Sequence, residues 1–236
     1  MDKILILFLF LSLLNANGEQ FVGEKLTYSA GFRIFSAGEA KLEFASDSLQ
    51  GDPVYTLNVT INTNSFLDRF YRVRDRLTSW LDPNDLSLKK VVKSVREGNY
   101  KLNHNAIIQG DSIAVIGDRL KALPGKVFDP VSIIYFLRIQ NLKPGNEYQL
   151  DAYDNGKIKK IIVKITGREF ITVPSGKYNC LRAEPVSSTG EILLKNKGEM
   201  RVWFSDDSLK IPLKIEQKTN IGTMVMKLKE ISRLNP

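Results

Sequence analysis

The chain has 236 residues, with 34 lysines and arginines against 26 aspartates and glutamates, one cysteine and one histidine. A single cysteine, Cys180, excludes an intramolecular disulfide, and a single histidine, His104, excludes a multi-histidine metal site. The net charge of +8 favours encounters with anionic partners such as lipid headgroups or acidic glycans, without identifying one. We predict no cofactor and no metal centre.

The first 18 residues have the pattern of a secretory signal. A charged start precedes an apolar run from Ile4 to Leu14, and the small residues Ala16 and Gly18 suit cleavage directly after them. The run is shorter than the ~17 to 25 residues of a spanning helix, and no cysteine closely follows it for lipid attachment. We predict a signal peptide at 1–18 and a single β-rich domain at 19–236. This domain is expected in the periplasm or outer envelope, not as a lipoprotein, with no transmembrane span and no nucleic-acid partner.

Alternating polar and apolar residues predict strands in the first half of the chain. The clearest runs from Val54 to Asn62, with its apolar residues on one face. A helical turn is predicted around Phe66, Leu67 and Phe70. A strand then carries three arginines on one face, and Glu97-Gly98 is a hairpin candidate.

The alternation stops at one central segment, Phe128 to Arg138, which predicts a short helix. Asp129 can cap the helix, Pro130 suits its first position, and Arg138 suits its negative C-terminal end. Apolar residues cover nearly the whole circumference, as is typical of a helix buried against a sheet.

Strands resume after the helix and continue to the end of the chain. Asp154-Asn155-Gly156 is a strong hairpin signal because Asn155 and Gly156 can both take positive φ. Further strands are predicted, including Ile192 to Leu194 and Gly222 to Ile231. Turns at steady intervals, without intervening helices, indicate antiparallel connections. We predict a mainly β fold with one short central helix: a large curved antiparallel sheet, a sandwich or a partly closed barrel.

Several segments, taken in order, resemble one family. They are the opening Phe21 to Tyr28 with Ala37 to Ala40, the central Phe128-Asp129-Pro130 with Tyr135 and Leu137-Arg138, Val173 to Tyr178, Val202 to Asp207 and Ile211 to Lys214. Over nearly the whole mature chain, the sequence is similar to the exported bacterial proteins grouped as domain of unknown function 3108. The resemblance implies a mainly β protein of the envelope. It offers no catalytic residues to carry over to this chain, because no activity is established for the family.

The strongest candidate binding group is the arginine row Arg72, Arg74 and Arg76. Three guanidinium groups spaced about 6.6 to 7 Å apart on one strand face could bind a phosphate, a polyanion or an acidic sugar. A solvated charged strand face gives the same pattern, so both interpretations stay open.

Candidate catalytic residues are less convincing. Asp206 and Asp207 could act as paired carboxylates, but Ser-Asp-Asp-Ser is ordinary turn chemistry. Cys180 has only Arg182 nearby to activate it, which indicates an inert thiol. His104 lies on the apolar face of its strand, as a core or cavity-lining residue does, and no G-x-S-x-G nucleophile motif occurs.

Three hypotheses follow for function. The first is a non-enzymatic envelope protein that binds or carries an amphipathic or acidic component, namely a lipid, lipoprotein or glycan. The second is a structural or assembly module that binds another envelope protein through an edge strand. The third is a glycan-acting enzyme that uses Asp206 or Asp207.

Overall fold

The computed structural model describes residues 18–32, 35–187, 199–219 and 222–233. The predicted signal peptide, apart from Gly18, and the strand predicted at Ile192 to Leu194 lie outside the described residues. Short 3₁₀ turns occur at Glu19–Phe21 and Leu67–Arg69, and the helix α1 spans Ser132–Arg138. The strands are β1 (Glu24–Phe32), β2 (Phe35–Leu49), β3 (Asp52–Thr63), β4 (Arg74–Leu81), β5 (Leu88–Glu97), β6 (Tyr100–Gln109), β7 (Ile113–Ile116), β8 (Arg119–Ala122), β9 (Glu147–Asp154), β10 (Lys157–Val173), β11 (Gly176–Ser187), β12 (Glu199–Ser205), β13 (Pro212–Thr219) and β14 (Gly222–Arg233).

All fourteen strands form one antiparallel sheet in the order β8-β7-β6-β5-β4-β3-β2-β1-β14-β13-β12-β11-β10-β9. Strands β1 to β8 form one meander and strands β9 to β14 form another. The first and last strands join the two meanders, with Leu26 paired to Ile231. The segment that contains α1 connects the two outer edges, β8 and β9.

The sheet curves until its two halves touch, but its ladder does not close into a barrel. Leu88 N on β5 donates to Val127 O at 2.8 Å, and Tyr153 N on β9 donates to Phe128 O at 2.8 Å. Residues 127 and 128 thus lie between two distant strands. The predicted mainly β fold with a large curved antiparallel sheet is confirmed, and the order of strands excludes a sandwich of separate sheets.

Helix α1 packs at one end of the curved sheet, which we call the helix end. Tyr135 stacks on Phe44 at 5.0 Å between ring centroids, and Phe44 also packs against Tyr55. Tyr55 pairs with Leu81, and Leu81 pairs with Leu88, so these residues of β3, β4 and β5 also lie at the helix end. The opposite end, which we call the polar end, holds the start of β4, the β5–β6 turn and the β9–β10 turn.

Local sequence signals account for two details of the fold. Asn155 and Gly156 have φ values of 50° and 77°, as predicted for the turn that joins β9 and β10. The helical turn predicted around Phe66, Leu67 and Phe70 is present as the 3₁₀ turn Leu67–Arg69. No helix among the described residues is long and apolar enough to cross a membrane.

Candidate functional site

A buried ion pair fixes helix α1 to the first strand. Arg138 Nη1 and Nη2 donate to the two carboxylate oxygens of Glu24 at 2.5 and 2.7 Å. Both side chains are almost fully buried, at 0% and 1% exposure. Arg138 Nε also donates to Leu209 O at 3.2 Å, and its guanidinium lies 4.2 Å from the centre of the Phe21 ring. The helix therefore joins β1 to the turn that precedes β13.

Tyr135 completes this anchor. Its hydroxyl donates to Glu24 Oε1 at 3.1 Å, and its ring packs edge-on against Phe21 at 5.3 Å. Burial, reinforced by the negative charge of Glu24, raises the pKa of Tyr135 well above 10, so the hydroxyl keeps its proton. One carboxylate thus receives three hydrogen bonds from one helix, which satisfies a charge that would otherwise be costly to bury.

The entry to the helix has a second buried carboxylate. Asp129 Oδ1 accepts hydrogen bonds from Val131 N at 2.9 Å and Ser132 N at 3.1 Å, and Ile133 N donates to Asp129 O at 3.1 Å. Pro130 lies within this entry turn, two residues before the regular helix begins. Asp129 Oδ2 has no hydrogen-bond partner among the described residues, and Asp129 lines the cavity described next.

Helix α1 and the concave sheet line a cavity of about 1020 Å³ that is partly open to solvent. This volume is at the upper end of the ~300 to 1,000 Å³ that small-molecule sites occupy. The helix contributes Ile133, Ile134 and Leu137 to the wall. The first meander contributes aliphatic side chains that include Leu42, Val59, Ile61, Leu77, Val91 and Val95. The second meander contributes others that include Ile161, Val163, Ala183, Val202, Ile215 and Met226.

Apart from Asp129 at the entry to the helix, the charged side chains that line the cavity lie toward the polar end. Those on β4 and β5 are Asp75, Arg76, Lys93 and Glu97, and those on β9 and β10 are Asp154, Lys157 and Lys159. Burial and the neighbouring Asp75 carboxylate raise the pKa of Glu97 above its usual 4.5. The wall therefore changes from aliphatic beside the helix to mixed charge at the other end, which suits a molecule with an apolar part and a polar part.

Side chains also close the gap between the two halves of the sheet. Lys93 Nζ on β5 lies 2.9 Å from Asp154 Oδ1 on β9. His104 Nε2 on β6 lies 3.1 Å from the Tyr153 hydroxyl. Burial lowers the pKa of His104 below 6.5, although Asp154 partly offsets the effect. His104 is thus a neutral, cavity-lining residue near pH 7, as its place on the strand face indicated.

We expect acid to lower the stability of the folded protein, partly through protonation of His104. Because its pKa is lower in the folded state than in the unfolded chain, its contribution to stability is complete above about pH 6.5, where the unfolded chain begins to bind the proton. The contribution is lost progressively as the pH falls from there through the lower pKa of the folded state. The free energy of unfolding, measured with urea, should fall more between pH 7.5 and pH 5.5 for the wild type than for His104→Gln. This variant keeps a hydrogen-bonding side chain. Equal losses in both proteins would contradict this role.

The structure separates the three arginines of the predicted row. Arg74 folds back on its own loop, where Nη1 donates to Asp68 Oδ1 at 3.0 Å and Nη2 contacts the other oxygen of the same carboxylate. Arg72 precedes β4, whose first residue is Arg74, and its side chain is 67% exposed. Arg76 lines the polar end of the cavity. Arg74 therefore binds Asp68 of the same chain. Arg72 is exposed to solvent, and Arg76 lines the cavity.

The remaining candidate residues have structural contacts. Asp207 Oδ1 accepts from Leu209 N and Lys210 N at 2.9 and 3.0 Å, which is turn chemistry, whereas Asp206 pairs with Arg168 at 2.7 Å. The adjacent carboxylates therefore serve different partners. Cys180 is buried, and burial raises the pKa of its thiol to about 11, so it stays protonated at neutral pH.

Fold and cavity together define an open, curved antiparallel β-sheet protein with an apolar interior that a helix closes at one end. The chain belongs to the family described as Protein of unknown function (DUF3108), whose model matches residues 27–229. This confirms the resemblance seen in the sequence. The curated proteins include no match to the chain.

A solved structure with a TM-score above 0.5 supports the fold. A β-barrel-like protein of domain of unknown function DUF1849 from Brucella abortus has a TM-score of 0.61 and 11% identity, covering 92% of this chain and 99% of that one. A hypothetical protein from Chlamydia trachomatis has a TM-score of 0.39 and 10% identity, covering 90% and 87%. A protein from Bacteroides fragilis described as exported, with a YmcC-like fold, has a TM-score of 0.36 and 12% identity, covering 90% and 96%.

Proposed function

We propose that this protein is a non-enzymatic binding or carrier module of the bacterial envelope that holds the apolar part of an amphiphile in its cavity. The observation that carries the proposal is the cavity of about 1020 Å³, aliphatic beside α1 and charged at the polar end. The acyl chains of a lipid or lipoprotein match the aliphatic wall, because burying each methylene group contributes about 0.8 kcal/mol. A glycan, whose hydroxyls need hydrogen-bond partners, matches that wall less well.

The location in the proposal comes from the N-terminal sequence. The apolar run and small-residue ending of residues 1–18 have the form of a secretory signal, and a protein without disulfides suits a bacterial envelope. We therefore place the mature protein in the periplasm or at the outer envelope.

The alternative functions have weaker support. An assembly module that adds a partner strand would use a free edge such as β8, but β8 has four residues and carries Arg119 and Lys121. Short, charged edge strands are a common protection against pairing. An enzyme that uses Asp206 and Asp207 would have to release Asp207 from its turn contacts and Asp206 from its pair with Arg168.

Native mass spectrometry of the protein, purified from the periplasm of a bacterial host without detergent, tests the proposal. We expect an added mass that organic solvent extracts and that fragments as a lipid or lipoprotein chain. Protein from which the ligand has been extracted should regain the mass when mixed with that extract. A bare protein mass, together with no uptake from a total envelope lipid extract, would contradict the proposal.

A further inference from the structure

The connection between β3 and β4 places large apolar side chains in solvent at the polar end. Phe66 is 65% exposed, Phe70 is 74% exposed and Tyr71 is 52% exposed. The two phenylalanine rings contact each other edge-on, with 5.7 Å between their centroids. We call residues 66–72 the aromatic loop. Phe66 and Phe70 are in contact and Tyr71 follows Phe70 directly in the chain, so the exposed aromatic residues are clustered rather than scattered over the surface.

The fold holds this loop in place. Asp68 accepts a hydrogen bond from Thr63 Oγ1 at 2.5 Å and pairs with Arg74. Asn64 Oδ1 accepts from Leu67 N at 2.9 Å, at the start of the 3₁₀ turn. Tyr71 lies against the β5–β6 turn, where a Cβ built on Gly98 would be 2.8 Å from its ring. The phenylalanines are thus presented by an ordered loop.

Positive charge accompanies the aromatic residues. Arg69 is exposed within the loop, and the Arg72 side chain is 67% exposed at its end. The acidic residue of the loop, Asp68, pairs with Arg74 and also lies 3.8 Å from Arg72 Nε. Three arginines against this one aspartate leave residues 66–74 with a net positive charge. Aromatic rings beside arginines suit the interface of a bilayer, where rings enter the headgroup region and guanidinium groups meet anionic phosphates.

The loop adjoins the polar end of the cavity. Gly98 N donates to Arg72 O at 2.8 Å, and Val73 forms a bridge with Glu97. Glu97 and Tyr100 line the cavity. A partner strand cannot pair here, because β4 is already bonded on both sides, to β3 and β5. A flat lipid surface fits a protruding loop of this kind better than strand addition does.

From these observations we propose that the aromatic loop docks the protein on an anionic phospholipid bilayer, with Phe66 and Phe70 inserted and Arg69 and Arg72 at the phosphates. Docking in this orientation turns the polar end of the cavity toward the lipid. The proposal stands on the loop itself and does not require the cavity to hold a ligand.

Vesicle sedimentation of the purified protein tests the proposal. We expect partitioning onto phosphatidylcholine vesicles that contain phosphatidylglycerol, and much weaker partitioning onto phosphatidylcholine alone. The double variant Phe66→Ser/Phe70→Ser should lower the partition coefficient at least about tenfold, since two rings no longer leave water. Arg69→Gln/Arg72→Gln should remove the preference for phosphatidylglycerol, and high salt should weaken wild-type binding.

Phe170→Ser is the matched control, because Phe170 is 64% exposed on β10, outside the aromatic loop. It should partition as the wild type does. Circular dichroism and native mass spectra of every variant show whether the fold and any bound ligand are unchanged. Loss of ligand binding in the cavity can therefore be distinguished from loss of vesicle binding by the aromatic loop. The proposal is overturned if the wild-type protein binds neither type of vesicle, or if it binds vesicles with and without phosphatidylglycerol equally. Equal partitioning of the Phe66→Ser/Phe70→Ser and Phe170→Ser proteins overturns it too.

Discussion

Replacing Arg138 with methionine is expected to lower the free energy of unfolding by about 3 to 5 kcal/mol, because it leaves the buried Glu24 carboxylate without its counter-charge. Glu24 and Arg138 are both buried, so water cannot replace the lost hydrogen bonds. The stacking of the guanidinium on Phe21 is lost as well. Urea unfolding at pH 7 measures the effect.

Two further variants separate the buried charge from general damage. The double variant Glu24→Gln/Arg138→Met removes both charges and keeps an acceptor for the Tyr135 hydroxyl. It should recover about 1 to 3 kcal/mol of the loss, because replacing a whole buried pair costs less than breaking it. Lys25→Met, at the next residue, breaks the exposed pair with Glu43 and should cost at most about 1 kcal/mol. An Arg138→Met protein as stable as Lys25→Met would refute this account of the anchor.

The sequence predicts local structure well where short-range chemistry decides it. Alternation marked the strand from Val54 to Asn62, which lies within β3, and Asn155-Gly156 marked a turn that requires positive φ. The all-round apolar character of the central segment indicated a buried helix, and α1 is buried on most of its surface. These features depend on neighbours within a few residues.

Long-range pairing is what the sequence does not reveal. The sequence predicts Arg138 at the helix C-terminus, yet its side chain also binds Glu24, 114 positions earlier in the chain. No local pattern distinguishes Glu24 from an exposed strand residue. The pairing of β1 with β14, which joins the two meanders, is equally invisible in a single sequence.

The candidate site likewise combines local features that the sequence predicts with a long-range arrangement that it does not. Strand alternation indicates that Val91, Lys93, Val95 and Glu97 share one face of β5, but only the curvature of the whole sheet shows that this face lines a cavity. The arginine row requires strand alternation to extend through Arg72, but β4 begins at Arg74. The chain actually forms a loop there, since Arg74 and Asp68 bond to each other across it.

Val95 offers the sharpest test of the cavity. It is 7% exposed, lines the cavity and belongs to neither of the packed apolar clusters of the core. Its side chain therefore faces the space that we assign to the amphiphile. We expect Val95→Trp to fill part of this space and to reduce the bound amphiphile at least about tenfold. If the indole displaces about three methylene groups, the loss is roughly 2.4 kcal/mol at about 0.8 kcal/mol each.

Val92→Trp provides the control on the same strand, because Val92 is 37% exposed and does not line the cavity. Both proteins receive the same change three residues apart, and both should stay within about 1 kcal/mol of wild-type stability, since neither ring enters a tightly packed core. Native mass spectra and lipid extraction then compare the two. Loss of ligand from Val95→Trp but not from Val92→Trp would place the ligand inside the sheet. Equal retention would mean that any bound ligand lies elsewhere, and the cavity would lose its proposed role.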